Sequence, residues 1–105
     1  PRSEYSTQIL KFGPVKHSAS IRKLPVMLSN TGNAELIVRA VEGKGEVATT
    51  FAPGLRIAPG ETFRGEVLFD PRTQEYGVMS EHLVVITNDP VRPMRRIRVT
   101  AIIEE

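Results

Sequence analysis

The sequence predicts an all-β domain, a two-layer sandwich of seven short strands, and three observations carry that reading. Apolar residues alternate with polar ones at period two rather than recurring every three or four positions. Turn-forming residues interrupt the chain at intervals of about ten positions. No window longer than about ten residues keeps a helical period without meeting Gly or Pro.

The predicted strands cover residues 6–12, 21–29, 35–42, 47–52, 62–70, 81–88 and 94–104. The first ends at Gly13-Pro14. In the second, Leu24, Val26 and Leu28 share one face, with Pro25 and Met27 on the other. The third and fourth lie between the Asn- and Gly-rich stretches at 30–33, 43–45 and Pro53-Gly54. In the fifth, Phe63, Val67 and Phe69 alternate with Arg64, Glu66 and Leu68, and Asp70-Pro71 ends it. In the sixth, Leu83 and Val85 face away from His82, Val84 and Ile86, and Asn88-Asp89-Pro90 ends it. In the last, Ile97, Val99, Ala101 and Ile103 oppose Arg96, Arg98, Thr100 and Ile102. Seven β-branched-rich strands at this spacing indicate an immunoglobulin-like sandwich, with a small closed barrel as the alternative. The polar stretch "SNTGNAEL" (29–36) reads as a corner, its backbone solvated and Gly32 expected at positive φ.

At 105 residues the chain fits one domain, 1–105. A chain of this size buries enough surface to fold without a disulfide or metal. With 40% hydrophobic and 25% charged residues it reads as globular rather than disordered. The absence of Cys removes thiol nucleophiles, disulfides and thiolate metal sites. A net charge of +2 is too small to indicate nucleic acid by itself. No apolar run is long enough for a membrane-spanning helix, and nothing at the amino end reads as a signal peptide. The start at Pro1 rather than Met is expected of a piece of a longer protein.

The residues offer little chemistry. His17 lies in a polar loop and His82 on an outward strand face, without zinc-ligand spacing. No strand–Gly-rich loop–helix cradles a phosphate, and no Gly-x-Ser-x-Gly elbow is present. Asp70 and Asp89 read as turn residues, too few for the oxygen shell calcium prefers. No catalytic, cofactor-binding or metal residue is therefore assigned. Phe12, Phe51, Phe63 and Phe69 fall mostly at core positions, leaving Tyr5 and Tyr76 as the expected exposed rings. Without Trp, the stacking platforms of a single-strand nucleic-acid binder are missing.

The one unusual feature is "VRPMRRIRVT", which places Arg92, Arg95, Arg96 and Arg98 within seven residues. Arg96 and Arg98 are expected on one outward strand face, Arg92 and Arg95 in the preceding loop. Such a patch reads as a solvated or internally paired face that blocks edge aggregation, as a protein contact, or as a polyanion site.

Four stretches in order, "FGPV" (12–15), "LSNTGNAEL" (28–36), "APGETFRGEVLFDP" (58–71) and "HLVVITNDP" (82–90), resemble the Hydin-like, or ASH, branch of the PapD-like immunoglobulin folds. The nearest resemblance is to a bacterial family catalogued as domain of unknown function fifteen-seventy-three. It implies a seven-stranded sandwich and a non-catalytic domain of exported or envelope-associated proteins, hence a periplasmic, envelope or extracellular setting. Many bacterial members carry Cys-Gly-Cys after the third strand. Here that place reads "EGKGEV" (42–47), so no redox or metal role is carried over.

The expected function is a non-catalytic scaffold or interaction domain of a larger exported bacterial protein, with a protein partner, no cofactor and no membrane insertion. The alternative is a binding module that docks a partner strand at an open edge, either 7–12 or 95–103, or an acidic surface at the Arg-rich last strand.

Overall fold

The computed structural model describes residues 1–43 and 47–105. The turn expected at 43–45 and the comparison at 42–47 therefore fall largely outside the described residues. Nine strands are formed among them: β1 (Ser3–Tyr5), β2 (Ile9–Lys16), β3 (Arg22–Asn30), β4 (Leu36–Gly43), β5 (Val47–Thr49), β6 (Arg56–Ile57), β7 (Thr62–Phe69), β8 (Gly77–Thr87) and β9 (Met94–Glu104). They build a four-stranded sheet, β1-β3-β7-β5, against a five-stranded sheet, β2-β9-β8-β4-β6.

The count exceeds the expected seven for two local reasons. The first addition, β1, lies ahead of the strand expected at 6–12, which forms only from Ile9 as β2, because the chain crosses between sheets at residues 6–8. Ser6 N–H donates to Met27 O at 2.9 Å in one sheet, and Arg98 N–H donates to Gln8 O at 2.8 Å in the other. Between them the Thr7 hydroxyl donates to Ile9 O and accepts from Ile9 N–H, making the bend. β1 thus pairs antiparallel with β3, and β2 pairs parallel with β9. The second addition, β6, is two residues long, too short to show alternation.

The expected open edge at 95–103 is overturned. β9 is hydrogen-bonded to β2 on one side and β8 on the other. The edges of that sheet are β6 and β2, and β2 contains most of the other expected edge, 7–12.

The period-two pattern does set the core. Val26, Leu28, Val67, Phe69, Leu83, Val85, Ile97 and Val99 are buried between the sheets. Each such side chain contributes roughly 1.5–3 kcal/mol. Phe12 meets Phe69 edge-on at 4.8 Å between centroids, and Phe51 packs against Phe63 at 5.5 Å. Gly65 of β7 makes room for this second pair, since a Cβ there would run into the Phe51 ring.

The polar corner at 29–36 is organised from within. Asn30, 1% exposed, donates from Nδ2 to Ala34 O at 2.7 Å and Ile57 O at 2.9 Å. Its Oδ1 accepts from Gly32 N–H and Arg2 N–H. Gly32 does not have the expected positive φ, which occurs instead at Gly13, Gly54, Gly60 and Gly77. It is small because the first residues cross over it: a Cβ would lie 2.8 Å from Arg2 N. Asn88 fixes the neighbouring corner, accepting Ile37 N–H at 2.8 Å and donating to Glu35 O at 3.1 Å.

Candidate interaction site

The four arginines of the last strand divide between two surfaces. Side chains alternate along β9, so Met94, Arg96, Arg98 and Ile102 point out of the five-stranded sheet, while Ile97, Val99 and Ile103 point into the core. Arg98 stands level with Ile9 of β2 and His82 of β8, and Arg96 level with Val84. Ile102 is level with Val78 and with Pro14. The outer face therefore carries guanidiniums on an interior strand, between β2 and β8, among exposed apolar side chains: Ile9, Val78, Met94 and Ile102. Among the described residues neither arginine has a carboxylate within ion-pair distance.

Arg95 has the opposite parity and is half-buried. Its guanidinium lies over the Tyr5 ring, 5.4 Å from the centroid. With the exposed Arg92 it borders a cleft of about 610 Å³ at the end of the sandwich where β1, the 31–35 corner and the β8–β9 turn converge. Tyr5 was expected to be an exposed ring. It is 9% exposed, because Tyr5 faces inward with Ser3 on β1. Burial pushes its phenol up to about 12; the Arg95 cation opposes the shift and the Asp89 carboxylate adds to it. The hydroxyl is shielded and has no hydrogen-bond partner among the described residues.

Asp89 forms the cleft floor. One oxygen accepts from Ser3 N–H and the Ser3 hydroxyl, the other from Val91 N–H and Arg92 N–H. Burial alone would raise its pKa, but these donors outweigh it and hold the carboxyl well below the usual carboxylate range.

The remaining titratable residues stay apart. His82 is level with Arg98, whereas His17 follows the end of β2, where Lys16 is level with Glu104. His17 packs on the exposed Tyr76 ring at 4.8 Å. Asp70 caps the short 3-10 turn Pro71–Thr73 and takes Nε and Nη2 of Arg72 at 2.9 and 2.8 Å. These bonds to Arg72 hold its pKa below the ordinary value. Among the described residues no group of three or more His, Cys, Asp or Glu side chains is placed to hold a metal. Among the described residues no helix is long and apolar enough to cross a membrane.

Sequence reasoning missed Arg2, Tyr5 and the anchoring role of Asp89, since only the fold brings positions 2–5 to 89–95. The inward pairing of Ser3 with Tyr5 was the available signal.

A two-sheet sandwich whose first two strands fall in opposite sheets defines the class: an immunoglobulin-like, PapD-like domain. The sequence model of the HYDIN/CFA65/VesB-like, Ig-like domain family matches residues 1–101, and the chain belongs to that family. No curated protein matches it in sequence. Among solved structures, a protein of unknown function from Porphyromonas gingivalis W83 superposes with a TM-score of 0.85 at 23% identity, over 96% of this chain and 46% of that one. The chain thus spans about half the length of that protein. The ASH/PapD-like domain 7 of human CEP192 superposes at 0.78 and 11% identity, over 99% of this chain and 86% of that one. The periplasmic chaperone SfaE gives 0.62 at 11%, over 98% of this chain and 57% of that one. At these identities the likeness is one of fold.

Proposed function

We propose that the chain is a non-catalytic interaction domain of a larger, exported bacterial protein. It docks an acidic, partly apolar protein surface on the outer face of its five-stranded sheet. The observation that carries this reading is the placement of Arg96 and Arg98 on β9, an interior strand, uncompensated among the described residues and flanked by exposed Ile9, Met94 and Ile102. Arg and Met beside apolar neighbours are the composition that interfaces favour, and an acidic partner supplies the missing counter-charge. The face has no aromatic platform for bases, which disfavours nucleic acid.

Export is supported by the resemblance in fold to a periplasmic chaperone. The order of the four sequence stretches supports placement in the bacterial family fifteen-seventy-three. The 46% coverage of the Porphyromonas protein supports a single domain within a longer chain.

Strand addition at β2 is the second reading, favoured by its unpaired outer side. It is the weaker one. The register with β9 shifts between Lys11 and Pro14, and Pro14 has no N–H to donate, which leaves only a short regular edge.

The test is binding by variants of the two sheets. Arg96→Glu with Arg98→Glu is expected to abolish partner binding, while Arg22→Glu on the four-stranded sheet leaves it unchanged. Equal loss in both variants contradicts the assignment.

A further inference from the structure

We propose that the cleft at the β1 end of the sandwich binds a single carboxylate presented by a short peptide segment. Three guanidiniums, Arg2, Arg92 and Arg95, line it with two carboxylates, Glu4 and Asp89. Asp89 is not a counter-ion for the arginines. Both its oxygens are taken by Ser3, Val91 N–H and Arg92 N–H, and it is 2% exposed. Among the described residues none of the three arginines forms an ion pair. With Glu4 and Asp89 both counted, the lining still carries a formal net charge of +1.

Tyr5 supplies an independent observation. Its ring is nine-tenths buried, its hydroxyl has no partner among the described residues, and Arg95 is held over the ring at 5.4 Å. A shielded hydroxyl without a hydrogen bond is a cost the fold carries with no internal return. A carboxylate seated between Arg95 and Arg92 accepts the Tyr5 O–H once the ring edge is exposed to the cleft, and takes a guanidinium fork as well. The net lining charge of +1 is balanced by one carboxylate, whereas a phosphate dianion would leave the occupied cleft with a net negative charge. The cleft volume, about 610 Å³, accommodates a few residues rather than a lone ion. The site is distinct from the Arg96–Arg98 sheet face and does not depend on it.

The carboxylate can come from an acidic side chain or from a chain terminus. Two fluorescent pentapeptides separate these sources: one with a single internal Glu and an amidated end, the other without acidic side chains and with a free carboxyl end. Polarisation titrations of the whole chain are expected to show saturable binding of one or both. Arg92→Ala and Arg95→Ala each weaken binding about tenfold, as loss of a charge-assisted hydrogen bond implies. Tyr5→Phe weakens it about fivefold while leaving the melting temperature unchanged or higher, an outcome that a purely structural hydroxyl does not give. Arg96→Ala with Arg98→Ala leaves the affinity within about twofold. Failure of both peptides to bind, equal affinity in all folded variants, or tighter binding of a phosphoserine version of the first peptide overturns the proposal.

Discussion

Asp89 accepts two hydrogen bonds from Ser3, at 2.9 Å from the backbone N–H and 2.7 Å from the hydroxyl, across 86 positions of sequence. The contact ties the turn after β8 to the first strand and closes one end of the sandwich. It also occupies a carboxylate oxygen that would otherwise be free to pair directly with the arginines around it.

The depressed pKa of Asp89 fixes the sign of a pH effect. Its folded pKa lies below the unfolded value near 4, so the contribution is complete above about pH 4 and is lost as pH falls towards the folded value. Thermal unfolding between neutral pH and about pH 3 is expected to show declining stability on the acid side. Asp89→Asn is expected to lose about 2–3 kcal/mol at neutral pH and to flatten the acid slope. An unchanged slope in the variant contradicts the assignment.

Gly65→Ala puts a methyl group into the Phe51 ring and is expected to cost roughly 1–3 kcal/mol. Phe51→Leu in the same chain relieves the clash, so the double variant is expected to lose less than the sum of the two single losses. Denaturant unfolding of the three variants reads this coupling. Strict additivity means the contact is not limiting.

Asn30→Asp replaces a donor that serves Ala34 O and Ile57 O with a second acceptor. The expected loss at neutral pH is about 3 kcal/mol, part of which is recovered when the new carboxyl is protonated. Melting temperatures at two pH values decide it. A pH-independent loss means that the amide donor is not what matters.

Amide exchange distinguishes the observed topology from the one expected from sequence. β9 is paired on both sides and is predicted to exchange only through global unfolding. The outward-directed amides of β2, and β6, are predicted to exchange faster. Fast exchange along β9 contradicts the sheet order.

Alternation made most of the fold legible. All seven expected strands overlap strands of the structure, and their inward residues, such as Val26, Val67, Val85 and Ile97, are the buried ones. Strand order was not legible, because period two reports which face is buried and nothing about neighbours. Arg-rich β9 therefore read as an edge although it is an interior strand, paired on both sides. The sheet switch at residues 6–8 was hidden because it rests on hydroxyls and backbone groups of ordinary polar residues. Of the candidate arginines, Arg96 and Arg98 fell on the predicted face. Arg95 lies one residue inside β9, on the opposite face from that pair, where it meets Tyr5.

The most direct test of the interaction-domain account is crosslinked capture from separate envelope and cytosolic extracts, comparing the parent with the folded Arg96→Glu, Arg98→Glu variant. The account predicts a saturable envelope partner that untagged domain competes away and the double variant fails to retain. Capture that persists undiminished in the double variant contradicts it.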